Sequence, residues 1–132
     1  MTEEMTNVHR ELTKRVTELR NRGGGTLELQ DGIYGIDQTL QLPREVSLTM
    51  APHAVIRALP GFEGEAILLK YGENDEAQRS HESAGWIRGG VLDGAKQPLT
   101  GLKIQDLCRL EVSELEVRDA TYKGIHSDAW YE

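Results

Sequence analysis

Gly23-Gly24-Gly25-Thr26-Leu27-Glu28-Leu29-Gln30-Asp31-Gly32-Ile33-Tyr34, continued by Thr39-Leu40-Gln41-Leu42 and Val46-Ser47-Leu48-Thr49-Met50, is the part of the chain from which its architecture follows. Leu27 and Leu29, Leu40 and Leu42, then Val46, Leu48 and Met50 alternate with other residues at the period of a strand with one buried face. Asp31-Gly32, Pro43, Ala51-Pro52, Pro60-Gly61 and Asp93-Gly94 interrupt these runs within a few residues. Gly, Pro and Asp in such pairs favour turns, so every strand is short.

Upstream the period changes. Met5, Val8, Leu12, Val16 and Leu19 are spaced three or four apart, which lines them on one face of an α-helix. Thr6 or Thr2 is the expected cap. Glu11 with Arg15 and Glu18 with Arg22 stand four apart as candidate ion pairs, and the triple glycine ends the helix. Residues 1–25 thus read as an amphipathic helix and glycine turn, and residues 26–132 as strands.

Downstream runs keep the strand habit: Ala66 to Leu69, Trp86-Ile87, Val91-Leu92, Leu102 with Ile104, Cys108 with Leu110 and Val112, and Leu115 with Val117. Hairpin pairs of the Asn-Gly type are scarce between them, which argues against a meander. Leu27/Leu29 recur as Leu48/Met50 and again as Ile67/Leu69, a step of roughly 19 to 21 residues that suits a solenoid repeat. Val91-Leu92-Asp93-Gly94 echoes as Val117-Arg118-Asp119-Ala120. A leucine-rich repeat around Leu107, Leu110 and Val112 lacks companion repeats. The fold class read from these patterns is all-β, a parallel solenoid with an N-terminal capping helix.

Composition narrows the partners. A formal net charge of -7 disfavours a nucleic-acid backbone and other polyanions; among glycans it favours a neutral polysaccharide or oligosaccharide over a polyuronate, unless calcium bridges the two. The single cysteine permits no intrachain disulfide and assigns no compartment. Met1 to Thr6 lacks the basic flank and apolar run of a secretory signal, no stretch reaches membrane-spanning length, and no Asn-x-Ser/Thr sequon occurs.

The segments Gly23 to Leu29, Asp31-Gly32-Ile33-Tyr34 and Thr39 to Leu42 resemble the opening of pectate-lyase-superfamily proteins, right-handed parallel β-helices in which a short helix plugs the open end of the coil. Val46 to Thr49 with Ala54-Val55-Ile56 resembles the next rung. Ile87-Arg88-Gly89-Gly90-Val91-Leu92-Asp93-Gly94 is similar to a rung of glycoside hydrolase family 28 and its relatives. The resemblance implies a polysaccharide hydrolase or lyase, or a tailspike-like glycan-binding or structural shaft that assembles as a homotrimer. The hydrolase signatures Asn-Thr-Asp, Asp-Asp, Gly-His-Gly and Arg-Ile-Lys and the lyase motif Trp-Ile-Asp-His are absent, so catalysis is expected on rungs beyond this chain. Gly124 to Glu132 reads as the opening of a further rung left uncovered, which points to a fragment or to an oligomer closing that end.

Candidate reacting groups are Asp93, Asp119, His126 and Asp128, the acid and imidazole side chains nearest strand ends. Glycosidic cleavage needs two carboxylates roughly 5–10 Å apart, and neighbouring rungs of a coil lie about 4.8 Å apart. Asp93 and Asp119 meet that requirement if they occupy matching rung positions; as residues before Gly and Ala at strand ends they suit turns better. His126 with Asp128 forms a candidate acid–base pair that lacks a third ligand for a metal. The charged loop from Gly72 to Gly85 offers oxygen ligands for calcium without EF-hand spacing. Aromatic rings suit the apolar faces of sugars, and among Trp86, Trp130, Tyr34, Tyr71, Tyr122 and Tyr131 the candidates for stacking are Trp130 and Tyr131, with burial under a following rung the equal alternative. Cys108 shares parity with Leu110 and Val112 and reads as core. The triple glycine follows a helix and is no phosphate loop.

Overall fold

The computed structural model describes residues 7–43, 45–62, 67–72, 84–105 and 109–128, with the side chains at 84, 105, 109 and 126–128 left aside. Helix α1 (His9–Asn21) buries Leu12 and Val16 against the first strands. Its start differs from the expected cap. Val8 stands at the N-cap with no side-chain bond, and the His9 N–H is satisfied by Asn7 Oδ1 at 3.0 Å. Thr2, Thr6 and Met5 fall outside the described residues. Arg15 donates to the Glu28 carbonyl at 2.9 Å and Arg20 pairs with Glu45 at 3.2 Å, so α1 is tied laterally to the strands.

The helix ends as its glycines dictate. Gly24 N–H donates to Leu19 O at 2.9 Å and Gly23 N–H to Arg20 O at 3.0 Å, the paired bonds of a Schellman motif. Gly24 has φ +125, and a Cβ there would sit 2.6 Å from the Glu45 carbonyl oxygen. Only glycine lets the helix end come this close to the neighbouring rung.

Beyond the turn the chain winds through twelve described strands: β1 (Gly25–Leu29), β2 (Gly32–Ile36), β3 (Leu40–Leu42), β4 (Val46–Met50), β5 (Ala54–Ala58), β6 (Ile67–Tyr71), β7 (Ala84–Arg88), β8 (Val91–Asp93), β9 (Thr100–Gln105), β10 (Arg109–Ser113), β11 (Glu116–Arg118) and β12 (Lys123–Asp128). They form three four-stranded parallel sheets, ordered β1-β4-β7-β10, β2-β5-β8-β11 and β3-β6-β9-β12. Every third strand therefore stacks on its predecessor. The described residues thus form a parallel β-helix whose twelve strands make four stacked layers, one strand per sheet in each. Alternate residues point inward, so Leu27, Leu48 and Ile87 stack in the first sheet, Ile56 and Leu92 in the second, and Leu40, Leu69 and Leu102 in the third. All of these residues are buried in one continuous core.

Leu27 pairs with Leu48 and Leu29 with Met50, as the repeat predicts. The third member of that series is wrong. Ile67 and Leu69 belong to the third sheet, where Leu69 pairs with Leu40, and the true successor of Leu48 is Ile87. The connections from β5 to β6 and from β6 to β7 are both longer than their counterparts on the first rung, so a constant period lands on the wrong sheet. The echo from Val91 to Val117 is off by one: Val91 pairs with Glu116, Leu92 with Val117 and Asp93 with Arg118. Gly124 opens no new rung either, since it lies in β12, the closing strand of the fourth.

The two ends of the coil differ. Leu12 and Val16 close the first rung, and Asn7 bridges to Gly35 on β2. On the fourth rung Leu110, Val112, Leu115 and Val117 are only partly buried, and Ile125 is 52% exposed. No helix among the described residues is long and apolar enough to cross a membrane.

Candidate functional site

Asp93 ends β8, and the residues after it explain its setting. Ala95 and Lys96 take positive φ of 52° and 63°, bending the chain sharply, and the Asp93 carboxylate caps the bend by accepting the Ala95 N–H at 2.9 Å. The bend ties three rungs together. Gln97 donates from its side chain to Leu59 O at 2.9 Å, and its own carbonyl accepts the Thr121 hydroxyl at 3.0 Å.

Register then supplies partners for the carboxylate. Arg57 on the rung before and Arg118 on the rung after occupy the same ladder position as Asp93. Arg57 Nε lies 2.9 Å and Arg118 Nε 3.8 Å from Asp93 Oδ2, while Arg118 also reaches Glu116 at 3.6 Å. Asp93 is 3% exposed. Burial raises its pKa, but the Ala95 N–H bond and the two guanidinium groups outweigh that and hold the carboxyl below the usual aspartate range. The result is an Arg–Asp–Arg ladder running along the second sheet.

Asp119 does not join it. It lies one position past the register partner, at φ 53° in an exposed turn, and its carbonyl accepts the Lys96 N–H at 2.9 Å. A one-residue offset reverses side-chain direction on a strand, so the cross-rung pair is a carboxylate with a guanidinium in place of two carboxylates. His126 and Asp128 sit on β12, in register with Lys103 and Gln105 of the third sheet, and so lie on a different sheet from Asp93. Their backbone positions share one strand face. Trp130, Tyr131, Cys108 and most of the 72–85 loop lie outside the described residues.

The remaining aromatics divide by surroundings. Tyr71 is fully buried, and Tyr34 donates its hydroxyl to Gln30 O at 2.8 Å. Trp86, on the outer face of the first sheet, donates Nε1–H to Thr49 at 2.9 Å and carries the Arg88 guanidinium 4.5 Å over its ring, with Arg88 held 3.4 Å from Glu111. Tyr122 is 68% exposed. The contributions of Arg57 and Arg118 are not legible in the sequence. Their signal is a ladder of alternating charge, readable only once the rung lengths are known. Among the described residues no group of three His, Cys, Asp or Glu side chains is placed to hold a metal ion. Comparison with protein-family models, with curated proteins and with solved structures returns no match.

Proposed function

We propose that the chain is a glycan-directed parallel β-helix module whose described rungs supply scaffold and not the reacting groups. One observation carries this reading: Asp93, at the strand end where a rung acid would act, is buried between Arg57 and Arg118 with its carboxyl held ionised. A general acid must keep a proton at working pH, and a nucleophile needs an open line of approach. Asp93 has neither. The glycan direction is supported by the likeness of residues 23–42 and 87–94 to pectate-lyase-superfamily rungs, segments that form β1 to β3 and β7 to β8. In this reading hydrolytic or eliminative chemistry belongs to rungs outside this chain. Because fold alone does not carry function, the ligand is the deciding test.

The test is affinity electrophoresis against neutral glucans and mannans and against polygalacturonate with and without calcium, run beside assays for new reducing ends and unsaturated products. Retardation by a neutral glycan is expected, with weaker retardation by the polyuronate in the absence of calcium, as the net charge of -7 dictates. Turnover is expected to be nil. Indifference to every glycan, or turnover that Asp93→Asn abolishes while the fold persists, would overturn the reading. A purely structural shaft is the second reading, favoured by the open apolar side of the fourth rung.

A further inference from the structure

Trp86 is held in place on the outside of the coil. Its backbone N–H donates to the Ser47 hydroxyl at 3.2 Å and its indole N–H to the Thr49 hydroxyl at 2.9 Å, so the residue is tied at both ends to the rung before. Ile87 beside it points into the core and is fully buried, which turns Trp86 and Arg88 outward. Glu111, the register partner of Trp86 on the next rung, faces the same way. The Arg88 guanidinium lies 4.5 Å from the centroid of the indole ring, and it reaches Glu111 at 3.4 Å. Those two side chains are 47% and 60% exposed, so their ion pair contributes little and either group can exchange partners at small cost. Core packing does not account for the arrangement, since the core lies across the sheet and the indole is bonded to two hydroxyl side chains.

We propose that Trp86, Arg88 and Glu111 form a subsite for one pyranose ring of a neutral glycan, an inference that rests on the glycan-directed reading above and gives it a location. The apolar C–H face of the sugar stacks on the indole in the place the guanidinium now takes. Arg88 moves aside to donate to sugar hydroxyls, and Glu111 accepts from them. Each hydroxyl both donates and accepts, so a cation paired with an anion suits it. The same pairing leaves no surplus cation for the carboxylate of a uronate, which the net charge of -7 also repels. Because the indole is anchored before the sugar arrives, binding orders little that was free.

Trp130→Phe leaves Trp86 as the single tryptophan of the chain, so emission spectra taken during titration with cellohexaose, mannohexaose and trigalacturonate report on this ring. A saturable change is expected with a neutral hexasaccharide and none with trigalacturonate. In affinity electrophoresis Trp86→Ala should weaken retention by the neutral glycan at least tenfold with an unchanged circular dichroism spectrum, and Trp86→Phe should restore part of it. Should Trp86→Ala fail to fold, the emission titration decides alone. Retention of a neutral glycan with silent Trp86 emission, or with Trp86→Ala retained as before, overturns the subsite and leaves the glycan-directed reading standing. An equal response to trigalacturonate overturns the assignment to a neutral sugar, and indifference to every glycan overturns subsite and reading together.

Discussion

Asp93 shows what stacking does to a single side chain. A buried carboxylate costs several kcal/mol unless paired, and the coil supplies a partner from above, another from below and a backbone N–H from its own turn. Arg57 and Arg118 are substantially exposed, so solvent screening reduces the worth of each pair. Asp93→Asn is therefore expected to cost roughly 1–2 kcal/mol at neutral pH, measured by urea denaturation. The pH dependence has a definite sign. A carboxyl whose folded pKa is depressed contributes stability above its unfolded pKa of about 3.9 and loses it as pH falls through the folded value. The gap between wild type and Asp93→Asn should thus be widest near neutrality and narrow below about pH 4. A gap independent of pH would mean that the ladder is not ionised. At this scale the sequence marks Asp93 through its strand-end position before Gly94, and the bond to the Ala95 N–H is the turn contact that such a position favours. The arginines are illegible because Arg57 and Arg118 precede and follow Asp93 by unequal intervals, 36 and 25 residues.

The elements repeat the lesson in another form. The stripe of Val8, Leu12, Val16 and Leu19 locates α1 because periodicity reports a buried face directly, and each of the four packs on the core or belongs to it. The helix start differs from expectation because Val8 holds the N-cap and has no side-chain acceptor, so the asparagine before it supplies one to the His9 N–H. Short strands are legible for the same reason as the helix, whereas their sheet membership is not, since alternation says which way a residue points and nothing about what lies above it. The glycine turn makes a contrast that can be measured. Gly23 has a positive φ of 93° and open space where a methyl would project, so Gly23→Ala is expected to cost about 1 kcal/mol of backbone preference. Gly24→Ala adds a clash with the Glu45 carbonyl and should cost roughly 1–3 kcal/mol more. Equal melting temperatures for the two variants would contradict the close approach of the helix end to the second rung.

For the whole molecule, the solenoid explains why so small a chain with short strands sustains a core. Each rung buries its inward residues on the rung beneath, and α1 closes one end where the first rung would otherwise face water. Ile87, Leu92 and Leu102 on the third rung are fully buried, whereas their neighbours Val112 and Val117 on the fourth are partly buried and Ile125 is exposed. The whole-molecule architecture is legible from the first three strand runs and the helix before them; the charged loop from Gly72 to Gly85 marks an interruption of the spacing, but hydrophobic period does not tell which strand follows which in a sheet.

The most direct measurement is oxidative cross-linking of cysteine pairs placed by the stacking register, in a Cys108→Ser background. Register partners on adjacent rungs lie about 4.8 Å apart, within reach of a disulfide. Glu28→Cys with Thr49→Cys, and Gln41→Cys with Lys70→Cys, are register partners in the first and third sheets and should cross-link readily. Glu28→Cys with Lys70→Cys, on different sheets, should not. Cross-linking of the mismatched pair with failure of the two register pairs would contradict the parallel coil.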